Sequence, residues 1–241
     1  MKLELRLPFA AILIFSVATF AQAQAAPKAA KTVPFVDPSV LNLSLIVPPP
    51  PPQDSAAVKA ELAELHRIEQ SRTPEQVDAA QADEKEQDIF VFRTVLGDKF
   101  RAEDLPLTAA LSLHVHREEP HNGDPLKAEF HRPRPYQFDP TLHPVCKTTD
   151  QPNSYPSGHA LSGYLEAFTL AQIVPEKSRQ ILARADDYAR NRLICGVHYP
   201  SDIAASRSVA YAVFASMLTN PSFQAELAAA RTETRKHLGL N

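Results

Sequence analysis

The chain has no tryptophan, two methionines, two cysteines and only six glycines in 241 residues. Aromatic residues make up 7%, while Ala and Leu are abundant. That composition argues against a β-sandwich and favours helices. Excess charge is missing too, since the formal net charge is −3. No general basic character points to nucleic acid, so any anion site must come from a local cluster of Lys and Arg. After the first 20 residues no segment offers 18 uninterrupted apolar residues, the length a membrane span needs. The hydrophobic share of 44% nevertheless suits a packed core in one domain of ordinary size.

Proline is plentiful, with 22 residues, many of them in the first quarter. The start of the chain has the pattern of a cleavable leader. Lys2 and Arg6 supply positive charge, Leu7 to Phe20 is apolar, and Ala21-Gln22-Ala23 is a small-x-small cleavage signal. A membrane anchor is the competing reading. The short apolar run, followed at once by Gln22, Gln24 and Lys28, argues against it. We expect a signal peptide over 1–23, a periplasmic or secreted protein, and no stable membrane insertion after cleavage. In an oxidising compartment Cys146 and Cys195 should form one disulfide. Residues 24–53 read as an extended segment that ends in Pro48 to Pro52, a polyproline II stretch that either wraps the domain or acts as a spacer.

The remaining residues, 54–241, read as one all-α helical bundle with no strand pairs. Ala57, Leu62, Leu65 and Ile68 recur at helical spacing after Asp54-Ser55. Thr73-Pro74-Glu75 is a helix start. Further helices are expected over 88–97, 104–117, 157–173, 175–193, 202–218 and 221–238. The stretch 118–156, rich in Pro and His, reads as a long ordered loop, and such loops are often functional.

Three clusters carry chemistry. In the third, His198 precedes Pro200, a helix start, and Asp202 follows four residues later. That spacing lets the carboxylate orient the imidazole and leave its other nitrogen basic. Alone, Asp202 could equally complement the helix dipole. In the second, Pro156-Ser157-Gly158-His159 stands where a loop enters an apolar helix, so free backbone N–H groups favour an anion there. An ordinary Ser cap beside a half-buried His is the plainer reading, although chance gives this tetrapeptide roughly once in a thousand such chains. In the first, Lys127 and Arg134 bring cations into a loop. Arg132-Pro133 is a near copy of Arg134-Pro135, and chemistry alone leaves the choice between the two arginines open. With Arg192, the clusters offer three cations, the donors Ser157 and Gly158, two histidines and one aspartate. Together they suit a tetrahedral oxyanion beside a nucleophile and an acid. No Asp/Glu/His cluster matches a two-metal site, so no metal or cofactor is expected. The spacing of His114, His116 and His121 fits no zinc signature.

The pattern Lys-x6-Arg-Pro, Pro-Ser-Gly-His, Arg-x5-His-x3-Asp resembles that of the type 2 phosphatidic acid phosphatase superfamily, and within it the bacterial class A non-specific acid phosphatases. The likeness runs over roughly residues 40 to 235, including the Asn220-Pro221 start of the last helix. The six-residue gap selects Arg134. One departure is Asn191, where the family has Ser before the Arg. The resemblance implies a metal-independent acid phosphatase for small-molecule phosphomonoesters of broad range. It assigns His198 as nucleophile, Asp202 as its orienter and His159 as general acid. It gives Lys127, Arg134, Ser157, Gly158 and Arg192 the phosphoryl oxygens. The vanadate-dependent haloperoxidases share the same residues, and a non-catalytic phosphate-binding protein would use the same cations. The sequence leaves open whether the chain forms a homo-oligomer.

Overall fold

The computed structural model describes residues 33–240. The leader reading and the first part of the 24–53 segment lie outside them. The described chain is all-helical: α1 (Ala56–Ser71), α2 (Pro74–Lys85), α3 (Arg93–Leu96), α4 (Pro106–His116), α5 (Glu118–Phe130), α6 (Pro135–Phe138), α7 (Gly158–Ile173), α8 (Ser178–Ile194), α9 (Pro200–Met217) and α10 (Pro221–Leu238). Five of the many prolines open helices: Pro74, Pro106, Pro135, Pro200 and Pro221. At that position the absent N–H costs nothing and the fixed φ is already helical. Side-chain caps add to these starts. Ser55 Oγ accepts from Val58 N–H, Thr73 and Gln76 form a capping box, and Asn220 accepts from Ser222 and Phe223.

Helix α7 is the central element. Of its sixteen residues only Gly158, His159, Ala171 and Gln172 keep appreciable exposure. It packs against α8, α9, α10, α4 and α5. The close approach of α8 depends on Gly163, because a Cβ there would lie 2.6 Å from the Tyr188 ring. The polar N-terminus of α7 is thereby fixed in space by an apolar body, which positions Ser157, Gly158 and His159.

The sequence expectation differs from the structure at two places. The stretch 118–156 is not wholly a loop, since it holds α5 and the single turn α6. Pro120 falls in the first turn of α5, but Pro125 is interior and removes one helical hydrogen bond. Tertiary contacts compensate. The buried Glu118 accepts from Phe35 N–H at 2.6 Å and from Asn122 Nδ2 at 3.0 Å, and Gly123 lies against Leu161. The second difference is at the N-terminal segment. The compact unit starts at Val33, not at 54. Phe35, Val36, Leu43 and Val47 are buried in the main core. Pro48 O accepts from Tyr155 OH at 2.6 Å, which ties the start of the proline stretch to the segment that precedes α7.

Cys146 and Cys195 are joined, with Cα atoms 5.1 Å apart and a sequence separation of 49. Among the described residues no helix is long and apolar enough to cross a membrane.

Candidate active site

Helix α8 ends at Ile194, and Gly196 takes a left-handed φ of 75° that turns the chain toward α9. This turn brings His198 to the start of α9, with Asp202 in its first turn. Asp202 Oδ2 accepts from Tyr199 N–H at 2.9 Å, from Ser154 Oγ at 2.6 Å and from His198 Nδ1 at 3.1 Å. Asp202 Oδ1 accepts from Arg132 Nη1 at 2.6 Å. The Asp202 carboxyl is pushed up to about 6 by burial, while Arg132, Ser154 and the Tyr199 N–H pull it the other way. The carboxylate fixes the imidazole tautomer, so His198 presents a lone pair at Nε2. Burial, with Arg134 and Arg192 nearby, holds the His198 pKa well below its ordinary value and keeps the ring neutral.

Arg134 Nη1 stands 3.0 Å from that Nε2 and also donates to Val197 O. Its Nε and Nη2 are clamped on Asn153 Oδ1 at 3.1 and 3.0 Å. Lys127, on the last turn of α5, donates to Glu119 Oε1 at 2.9 Å and to Asp124 Oδ1 at 3.0 Å. Burial opposes its charge, but Glu119 and Asp124 more than offset this and raise its pKa. A Cβ at Gly158 would lie 2.2 Å from Glu119 Oε1 and 3.1 Å from Lys127 Nζ, so a larger residue there would push aside the carboxylate that holds Lys127. Arg192 is buried, with Nη2 3.4 Å from Glu84 Oε1 and Nη1 3.5 Å from Cys195 Sγ.

His159 donates from Nε2 to the Glu84 carbonyl at 3.1 Å, which leaves Nδ1 as the nitrogen that titrates. Burial and then Arg192 press its pKa down to about 3, the Glu84 carbonyl opposing, with Arg134 and Lys127 adding to the fall. Lys127, Arg134, Gly158, His159, Arg192 and His198 line one cavity of about 570 Å³. Asp202 and Ser157 are buried and do not line it. Ser157 Oγ caps α7 by accepting from Ala160 N–H at 3.4 Å. Asn191 faces away from the cavity, where Nδ2 donates to Asp83 Oδ2 at 2.7 Å beside Arg184. The loss of a Ser at 191 therefore leaves the cavity wall unchanged.

Sequence reasoning missed Arg132, Ser154, Glu84 and Glu119. Arg132 was visible only as the first arginine of a repeated Arg-Pro, set aside when the six-residue gap selected Arg134. The structure gives each arginine its own partner, Arg132 on the buried carboxylate and Arg134 at the cavity. Glu84 acts from α2 across 75 residues to His159 and 108 to Arg192, with no local signal, while Glu119 holds Lys127 from eight residues away on α5, a helix that the sequence reading took as loop. Among the described residues no three His, Cys, Asp or Glu side chains gather as a metal site. His114 bonds Glu226 and Val33 O, while His116 bonds Ser162.

An imidazole lone pair backed by a carboxylate, a second histidine and three cations in one cavity define an oxyanion-handling site of a helical bundle. Residues 107–224, which contain all eight of the expected site residues, match the PAP2 superfamily, and the chain belongs to that superfamily. Among its relatives are the non-specific acid phosphatases of Providencia stuartii and Salmonella typhi. The first is 38% identical over 115 residues, 46% of each chain, and the second 31% over 149 residues, 59% of each. The acid phosphatase of Zymomonas mobilis is 31% identical over 137 residues, 55% of this chain and 51% of its own. The chain spans about half the length of the curated relatives it matches. A transmembrane PAP2-type phosphatidylglycerolphosphate phosphatase from Bacillus subtilis has the same fold, with a TM-score of 0.50, 18% identity, and coverage of 69% of this chain and 87% of its own.

Proposed function

We propose that this chain is an exported acid phosphatase that hydrolyses phosphate monoesters through a phosphohistidine on His198. The observation that carries the reading is His198 itself. It is neutral, buried, oriented by Asp202 through Nδ1, and directs Nε2 among Arg134, Arg192 and Lys127. The names of the relatives support the phosphatase activity.

Substrate phosphoryl oxygens displace Arg134 from His198 Nε2 and take its guanidinium as a forked donor. The freed lone pair attacks phosphorus and the bond to the ester oxygen breaks. His159 gives its proton to that oxygen, and the alcohol leaves. A water then attacks phosphorus, giving its proton to His159. The P–N bond breaks, and inorganic phosphate and neutral His198 remain. Charge on the transferring group meets fixed cations throughout, as phosphoryl transfer requires.

A free His159 with a pKa of about 3 is a poor proton carrier. A phosphate dianion among the same cations supplies the opposite charge and raises it again. The substrate thus completes its own general acid. Export is supported by the joined Cys146 and Cys195, since such bonds persist in oxidising compartments. The test is hydrolysis of an aryl phosphate in excess EDTA. The purified protein should turn over, and His198→Ala and His159→Ala should each lose at least about a hundredfold in kcat. Activity that disappears with EDTA and returns only with a divalent metal would refute the reading. Sequencing the N-terminus of the exported protein tests the leader.

A further inference from the structure

The cavity is far larger than a phosphoryl group, and its outer wall is unusual. Beyond the cations around His198, it is formed by Lys85, Gln87, Lys147, Thr148, Thr149 and Asn153. No Val, Leu, Ile, Met, Phe or Tyr side chain lines it. Binding pockets for small organic ligands are mostly apolar. A nucleobase or aryl group is held by stacking on aromatic faces, and an acyl chain needs apolar surface. This wall offers neither.

Two lysines of the lining also stand outside the ion pairs that surround His198. Five cations line the cavity against two carboxylates, and both carboxylates are engaged, Glu84 with Arg192 and Glu119 with Lys127. The two ammonium groups at the mouth, on Lys85 and Lys147, are exposed and form no ion pair among the described residues. Glu84 accepts the Lys147 backbone N–H at 3.0 Å, which pins that residue to the rim.

We propose that the site is built for a compact, hydroxyl-rich phosphate monoester carrying a second anionic group, the class of a sugar bisphosphate, with Lys85 and Lys147 receiving the second anion. The proposal rests on the phosphatase reading for the turnover of that ester, but its binding part stands apart from turnover. One phosphate occupies the cradle beside His198. The hydroxyls meet Gln87 and Thr148. The distal anion stays partly in water at the mouth, which is where exposed lysines contribute a modest attraction.

The test is calorimetric titration of the His198→Ala protein with fructose 1,6-bisphosphate and with fructose 6-phosphate, alongside turnover of both by the unaltered protein. The bisphosphate should bind about tenfold more tightly than the monophosphate. Joint Lys85→Ala and Lys147→Ala substitution should narrow that ratio below about twofold, whereas joint Lys99→Ala and Lys236→Ala substitution, an equal change of charge at two exposed residues that do not line the cavity, should leave it unchanged. Both mouth lysines are exposed, so the fold is not at stake. A ratio near one in the parent, or a ratio that the double substitution does not narrow, overturns the proposal. Failure to hydrolyse any ester overturns the phosphatase reading alone, because the titration still decides the preference.

Discussion

Arg132 and Arg134 stand two residues apart and bracket the His198–Asp202 pair from opposite ends. Arg132 Nη1 donates to Asp202 Oδ1 at 2.6 Å, while Arg134 Nη1 lies 3.0 Å from His198 Nε2. The left-handed His131 that ends α5 and the intervening Pro133 set the two side chains on different sides of the histidine. One arginine is buried on the carboxylate and the other lines the cavity.

That division predicts different failures. Arg132→Met leaves the fully buried Asp202 carboxylate without its cation, and also strips Glu61 of its partner. Breaking a buried pair from one side costs about 3–5 kcal/mol, readable by urea unfolding. Arg134→Met should lower kcat/KM steeply and stability much less. Equal stability losses in the two variants would contradict the assignment.

Phosphate binding should take up a proton. His159 is held down to about 3 by burial and by Arg192, Arg134 and Lys127, so near pH 5 it is neutral before binding. A bound phosphate favours the charged imidazolium, so affinity should rise as pH falls. Calorimetry in buffers of different ionisation heat measures the uptake, and His159→Ala should bind phosphate with less of it. The same uptake in both proteins would remove His159 from this role.

The groups that the candidate site takes from short stretches of chain were legible in the sequence because their spacing is local. His198 and Asp202 are one helical turn apart, and Ser157-Gly158-His159 sits on a single helix start. The supporting groups were not. Arg132 reaches Asp202 across 70 residues and Ser154 reaches it across 48, and no short-range spacing encodes either contact. Helix α5 was hidden by Pro120 and Pro125, whose local preference is overridden by the buried Glu118 and its bonds to Phe35 and Asn122. The apolar run of α7 and the helix starts at Pro74, Pro200 and Pro221 read directly into structure.

Glu166 sits in the middle of α7, fully buried. Its Oε1 accepts from Ser112 Oγ at 3.0 Å, and Oε2 has no partner. Burial pushes its carboxyl well above 4.5, with Ser112 opposing and Asp88 adding. The folded state therefore holds a proton that the unfolded chain releases. Stability from this group is present below about 4.5 and is lost as pH rises toward the folded pKa. Glu166→Gln should stabilise the protein more at pH 8 than at pH 4.5 in urea titrations. An equal gain at both pH values would show that the carboxyl is not protonated in the fold.

The Cys146–Cys195 bond closes a loop of 49 residues, and chain entropy gives it about 4 kcal/mol of stabilisation. Cys195 also lies against Arg192, so reduction should loosen a cation that lines the cavity. Reduced protein should melt at lower temperature and show a higher KM for an aryl phosphate. Unchanged melting and kinetics after complete reduction would mean that packing alone holds this wall.

The central claim is that His198 carries the phosphoryl group. The most direct measurement is a rapid alkaline quench with labelled aryl phosphate, followed by peptide mapping. The His159→Ala protein should accumulate label on the peptide that contains His198, because a good leaving group needs little protonation to depart while hydrolysis of the intermediate is slowed. The His198→Ala protein should carry none. Stable label on another residue, or on the His198→Ala protein, would contradict the account.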